Sequence, residues 1–247
     1  MLYARNRIYI SPDEQEKIKN YKIFIAGAGI GSVIAECALR LGFENITIAD
    51  GDTVELSNLN RQNYVHADIG ESKTESLKQR LLNINPNAQV TTHNIYLTEN
   101  NISSLLEGHQ VAINALDFDS ATPFAFDALC KSENIPVLHP YNIGWASFII
   151  VILPDGPPLA SLSNTTAGFE KVVVRHLING LDPASFNRHW IERVLTEFTK
   201  EEGRLSPPQL SVGCYLLAGS STHLMYKLAT GAPVKSFPEF YFLTTDT

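Results

Sequence analysis

Cysteine is scarce in this chain: Cys37, Cys130 and Cys214 are the only three in 247 residues, and none shares a CxxC spacing. Three thiols so widely scattered cannot build a tetrahedral thiolate zinc site or a disulfide framework, so a reducing, cytoplasmic setting and no zinc site are expected. The seven histidines show no HxH or HxxxH spacing and suggest no other metal cage. No run of about 18 apolar residues occurs, so no membrane-spanning helix is expected, and the opening Met-Leu-Tyr-Ala-Arg-Asn-Arg lacks the apolar core of a signal peptide. Positive charge is also short: 19 Lys plus Arg face 26 Asp plus Glu, for a net charge of −7. That balance disfavours a nucleic-acid surface, which needs a basic stripe. The rest, 44% hydrophobic and 18% charged, has the balance of a globular chain with a sizeable core.

What is present alternates. Ser11 and Pro12 open a polar helix to about Asn20, as an N-cap and a first-turn proline do. Residues 22–26 then read as a buried strand, the apolar positions from Val33 to Leu41 keep helical spacing up to a closing Gly42, and 46–49 read as a second strand. Helices over 71–83, 102–106 and 121–131 are interleaved with strands over 89–92, 111–115, 136–138 and 147–153. This order predicts an α/β fold, a Rossmann-like, mostly parallel sheet with helices on both faces. From 154 to 208 the chain changes character: Pro, Ser, Asn and Thr dominate first, and an amphipathic helix over 187–200 follows. Its stripe of Trp190, Ile191, Val194, Leu195 and Phe198 fits packing on the domain body, or docking of a partner. A long helix over 210–229 and a strand over 240–243 close the chain.

Between the first strand and helix lies Gly27-Ala28-Gly29-Ile30-Gly31-Ser32. A glycine turn opening a helix lets phosphate approach backbone N–H groups at the positive end of the helix dipole. The spacing is GxGxG, with Ser32 in the place of a third glycine, and no Gly-Lys-Ser/Thr follows, so it is not a P-loop. About twenty residues on, Asp50 ends the second strand, where an acid accepts hydrogen bonds from ribose hydroxyls. The chain then adds Asp52, Asn58, Arg61 and Gln62, a set better suited to a triphosphate than to a nicotinamide.

These residues resemble the ThiF/MoeB/HesA superfamily, the bacterial relatives of ubiquitin-activating E1 enzymes. The likeness rests on the glycine loop, Asp50-Gly51-Asp52, Ser57-Asn58-Leu59-Asn60-Arg61-Gln62, Asp68-Ile69-Gly70 leading to Lys73, Leu82-Asn83-Ile84-Asn85-Pro86, and Ala115-Leu116-Asp117. The resemblance implies one E1-like adenylation domain over 1–247. Residues 1–153 would be the nucleotide-binding core, 154–208 a divergent crossover and substrate segment, and 209–247 the C-terminal helix and strand. It implies an adenylyltransferase that uses ATP and Mg²⁺ to join AMP to a carboxylate of a ubiquitin-like or sulfur-carrier protein, or of a precursor peptide. Gly27, Gly29, Gly31, Asp50, Asp52, Asn58, Arg61, Gln62 and Lys73 would hold the nucleotide. Arg61, Lys73 and Asp117 would be catalytic, with Asp117 on the magnesium, and Arg5 would reach into the partner subunit of a homodimer. Each has a simpler reading as well: solvated charges for Arg61 and Lys73, a helix cap for Asp117, a turn residue for Asn58 and a mobile terminus for Arg5.

The chain also departs from the family. It has neither the zinc-binding CxxC pairs nor a cysteine between Cys130 and Cys214, where a crossover thiol would stand. Phe118 replaces the asparagine after the acid, and Thr122 the following arginine. The leading expectation is therefore an enzyme that stops at the acyl-adenylate, with no in-chain thioester. A non-catalytic nucleotide-binding subunit and an NAD(P)-dependent oxidoreductase are the alternatives.

Overall fold

The computed structural model describes residues 2–163, 166, 168–201 and 205–246. Residues 164, 165, 167 and 202–204, all in the expected substrate segment, lie outside that set. Among the described residues, seven strands form one sheet: β1 (Lys22–Ala26), β2 (Asn45–Ala49), β3 (Gln89–His93), β4 (Val111–Asn114), β5 (Val137–Ile143), β6 (Ala146–Ile152) and β7 (Tyr241–Thr244). Their order is β3-β2-β1-β4-β5-β6-β7. The first five pair in parallel, and β6 and β7 extend the sheet antiparallel. Strand order reverses between β1 and β4, so a crevice opens there at the strands' carboxyl ends.

Both faces are covered, and strand alternation decides which side chain goes where. Ile23 and Ile25 of β1 and Ile46 and Ile48 of β2 turn to one face. They meet Val33 and Ile34 of α2 (Ile30–Leu41), Leu77 and Leu81 of α3 (Lys73–Ile84), and Leu217 and Met225 of the long helix over Ser211–Thr230. Phe24, Ala26, Phe148 and Ile150 turn to the other face, against Phe126, Phe169, Val173, Trp190 and Ile191. Full burial of each such apolar side chain contributes about 1.5–3 kcal/mol. The first helix, α1 (Pro12–Lys19), carries the expected cap: Ser11 Oγ accepts from the Glu14 N–H, and the Glu14 carboxylate accepts from the Ser11 N–H. The remaining helices are α4 (Ile102–Leu106), α5 (Thr122–Ser132), α6 (Phe169–Gly180), α7 (Phe186–Lys200) and α8 (Ser211–Thr230). None of the described helices is long and apolar enough to cross a membrane.

Two elements differ from expectation. The strand expected over 136–138 runs on to Ile143, through Pro140. β4 pairs with β5 only at Val137 and Leu138, so beyond them β6 is the single neighbour and a proline fits the strand. The second difference is α6, in a stretch where no helix is expected. Helix α7 resolves its alternative in part: Trp190 and Ile191 are buried in the core, while Val194 is 41% exposed.

Candidate active site

The carboxyl ends of β1, β2 and β4 open on a cleft of about 610 Å³, bordered by Gly27, Gly29, Asp50, Asp52, Asn58, Arg61, Gln62, Lys73 and Asp117. Backbone geometry dictates the glycine turn. Gly27 has φ +94°, and a Cβ there would lie 2.6 Å from the Ala115 carbonyl oxygen, so β1 passes β4 with no space for a side chain. Asp50 clamps the turn: its Oδ2 accepts from the Ala28 N–H at 2.6 Å and its Oδ1 from the Asp52 N–H at 2.7 Å. Each oxygen keeps a further lone pair, so the carboxylate can still accept from a ribose hydroxyl.

Lys73 occupies the first position of α3, where the helix dipole disfavours a cation. It is nevertheless buried, with its Nζ 2.7 Å from Asp52 Oδ2. Partial burial pushes the Asp52 carboxyl up, but the hydrogen bond and charge of Lys73 outweigh it and hold the group below its ordinary range. The stability linked to Asp52 is present above the ordinary carboxylate pKa and is lost as pH falls through its lowered folded value. Because Asp52 is half exposed, Lys73→Met is expected to cost only about 1 kcal/mol in urea unfolding at neutral pH, and to flatten the acid limb of stability.

The segment after Asp52 is held from within. Asn58 Oδ1 accepts from the Glu55 N–H at 3.0 Å, and the Asn58 carbonyl accepts from the Arg61 and Gln62 N–H groups. Arg61 then spreads its guanidinium over three acceptors: Gln209 Oε1 at 2.9 Å, the Ser57 carbonyl at 3.0 Å and Asn60 Oδ1 at 2.8 Å. The Gln209 contact ties this segment to the residues preceding α8, 148 positions on. Gln62 lies against Gly29, and its buried Oε1 has no partner among the described residues, an unmet polar atom on the cleft border. Ser32, in the place of a third glycine, is fully buried; its Oγ donates to the Gly29 carbonyl at 2.7 Å and accepts from the Asn63 N–H at 3.1 Å.

Asp117 follows β4, whose end is fixed by Asn114 Nδ2 donating to Asp127 Oδ1 and the Pro123 carbonyl. The side chain faces the open cleft, yet the enclosing walls thin the water around it. That desolvation, with Asp119 and Glu170 nearby, raises its carboxyl above the ordinary range against the opposing pull of Lys73. The departure at Phe118 has a structural account. Phe118 is buried with Phe124 and Phe169, at ring distances of 5.3 and 4.7 Å, and its N–H donates to Glu170 Oε1 at 3.2 Å. The aromatic substitution thus anchors α6 and brings Glu170 and Lys171 to the cleft.

Two expected residues stand apart. Gly31 does not border the cleft; a Cβ there would meet Ile25 Cγ2 at 2.7 Å, so helix-on-strand packing requires the glycine. Arg5 is exposed in a 3₁₀ turn over Ala4–Asn6 and does not border the cleft of its own chain. Residues that the sequence reading did not select join the site: Glu55, Asp119, Glu170, Lys171 and Gln209. Cys214 is fully buried and burial pushes its thiol up, against the hydrogen bond from Asn142 and the charge of Arg61, which removes the thiolate a nucleophile needs. Among the described residues, six carboxylates and three cations border the cleft. An anionic triphosphate entering such walls needs a divalent cation to offset the repulsion.

Residues 3–246 match the description ThiF family. The chain belongs to the ThiF family. Among its relatives, the sulfur carrier protein ThiS adenylyltransferase of Bacillus subtilis is 32% identical over 162 residues, covering 63% of this chain and 48% of that protein. The molybdopterin-synthase adenylyltransferase of Escherichia coli is 31% identical over 59% of this chain and 59% of its own length. The chain thus spans about half the length of the curated relatives it matches. In fold it is similar to E. coli MccB, solved with AMPCPP and MccA: TM-score 0.69, 18% identity, 99% of this chain and 71% of that one. This ThiF-family chain therefore has the E1-like α/β fold expected from its sequence.

Proposed function

We propose that this protein is an ATP-dependent adenylyltransferase that activates a carboxylate as an acyl-adenylate and releases pyrophosphate. One observation carries the reading: five groups of complementary chemistry, Asp50, Asp52, Arg61, Lys73 and Asp117, surround one cleft at the sheet's switch point. In the proposed reaction a carboxylate oxygen bonds to the α-phosphorus as the bond to pyrophosphate breaks. Asp50 takes the ribose, while Asn58, Arg61 and Lys73 meet the phosphates and offset the charge that builds on the departing group. Asp117 would hold the magnesium, which would supply further charge neutralisation when bound. A magnesium ion needs only one or two protein carboxylates, so the single acid Asp117 would suffice to hold it. Walls shared by α6, α7 and the segment before α8 orient the carboxylate and remove much of the entropic cost of the encounter.

The substrate class in this reading is the C-terminal carboxylate of a carrier protein or of a peptide. Its support is that the relatives named above include an enzyme acting on a sulfur carrier protein and one solved with MccA. A homodimer in which Arg5 completes the partner's cleft belongs to the same proposal, and sedimentation as a lone monomer at micromolar concentration would count against it. The adenylate is handed on without an in-chain thioester, a reading supported by the burial of Cys214. ATP–pyrophosphate exchange in the presence of a carboxylate substrate tests the whole; ATP binding with no exchange for any carboxylate would favour a binding-only subunit. Phe118, at a position where the resemblance implies an asparagine, gives that second reading its weight.

A further inference from the structure

Beside the polar cleft lies a second cavity of about 290 Å³ with a different character. Trp145, Trp190, Val194 and Leu195 supply its walls, and the described residues do not close it: Trp145 is 56% and Val194 41% exposed. The two cavities meet along a seam. Glu170, Lys171, Phe198, Pro207 and Gln209 border both. At the seam the Lys171 ammonium lies 5.3 Å from the centre of the Phe198 ring, and among the described residues it makes no salt bridge.

We propose that this cavity receives the side chain of the substrate's C-terminal residue, and that this side chain is bulky and apolar. The inference rests on the adenylation reading and narrows its substrate. A C-terminal residue projects its carboxylate and its side chain from one Cα. A site for such a residue needs a polar compartment and an apolar one joined at a seam, with a cation where the carboxylate passes. The cleft, the cavity and Lys171 supply those three parts. A terminus ending in Gly-Gly has no side chain to place there and would leave the apolar walls unfilled, whereas Phe or Leu removes both surfaces from water.

The chain's two tryptophans, Trp145 and Trp190, both line this cavity, so intrinsic fluorescence reports its occupancy directly. The probes are N-acetylated peptides Ala-Ala-Ala-Phe, Ala-Ala-Ala-Leu and Ala-Ala-Ala-Gly, each with a free and an amidated C-terminus. The Phe and Leu peptides are expected to bind about tenfold to hundredfold tighter than the Gly peptide. Val194→Phe, which fills the cavity from its exposed edge, is expected to erase that preference while circular dichroism stays unchanged. Lys171→Met is expected to erase the advantage of the free carboxylate over the amide. Equal affinity for the Phe and Gly peptides, or a preference that survives Val194→Phe, overturns the proposal. ATP–pyrophosphate exchange on the same panel separates the two layers. Exchange without side-chain preference refutes the cavity and leaves adenylation standing; apolar-selective binding with no exchange refutes adenylation and leaves a pocket for a carboxyl-terminal residue.

Discussion

Arg61→Ala is expected to lower ATP–pyrophosphate exchange by about 10²–10³-fold, the cost of removing a fixed donor from developing charge. The side chain does not wander: its Nε is held by Gln209 and one terminal nitrogen by the Ser57 carbonyl and Asn60. These contacts leave the rest of the fork to face the cleft in a fixed plane. Arg61→Lys is therefore expected to recover little, because a single ammonium cannot hold that plane and present donors to phosphate at once. The fold should survive either change. The three acceptors lie at a half-exposed edge where water can replace the guanidinium, so the stability loss should stay within about 1 kcal/mol. Exchange at the wild-type rate in Arg61→Ala would remove this residue from the site.

Asp117→Asn is expected to separate activity from stability, with exchange falling by about 10²–10³-fold while the nucleotide-free protein becomes more stable at neutral pH. The sign follows from the raised carboxyl. The folded state holds the Asp117 proton more tightly than the unfolded chain, so this group's contribution is favourable at low pH and lost as pH rises through the raised folded value. At neutral pH the cleft is holding an ionised acid beside Asp119 and Glu170, against the opposing charge of Lys73. Neutral asparagine relieves that strain but no longer offers a full charge to a metal. Thermal unfolding of the two proteins across the acid range checks it: the curves should converge at low pH and diverge as pH rises. In kcat/KM for ATP, which reports the free enzyme, the same titration predicts a loss at a pH above the ordinary carboxylate range, as Asp117 takes up its proton. A less stable Asp117→Asn at neutral pH would contradict the account.

The part of the site written in local signals was legible in the sequence. Gly27, Asp50 and Asp117 sit at the ends of strands whose apolar runs are unmistakable, and Asn58, Arg61, Gln62 and Lys73 follow at short, fixed distances. The far wall was not legible, because nothing local announces it. Glu170 and Lys171 stand in the first turn of α6, which starts at Gly168 with φ +67° and has no capping side chain. Phe169, Val173 and Leu177 do keep helical spacing and are buried, but without a cap, and behind a run of Pro, Ser and Thr, the signal is weak. Pro140 hid the second half of β5 for a related reason: a proline reads as a strand break unless the neighbour on one side is known to be missing. Gly31 is a different case: the motif spacing offers it to the nucleotide, and the packing of α2 on Ile25 is by itself a sufficient reason for a glycine there.

The most direct test of the central claim needs no carboxylate substrate. Thermal unfolding is measured with ATP and Mg²⁺, with ATP alone and with NAD, on the wild type and on an Arg61→Ala, Lys73→Ala double variant. A ligand that binds only the folded state stabilises it by about 2.7 kcal/mol at a hundredfold excess over Kd. A clear rise in Tm is expected with ATP and Mg²⁺, a smaller one with ATP alone, none with NAD, and loss of the effect in the double variant. Stabilisation by NAD but not by ATP, or an ATP effect that the double variant keeps in full, would contradict it.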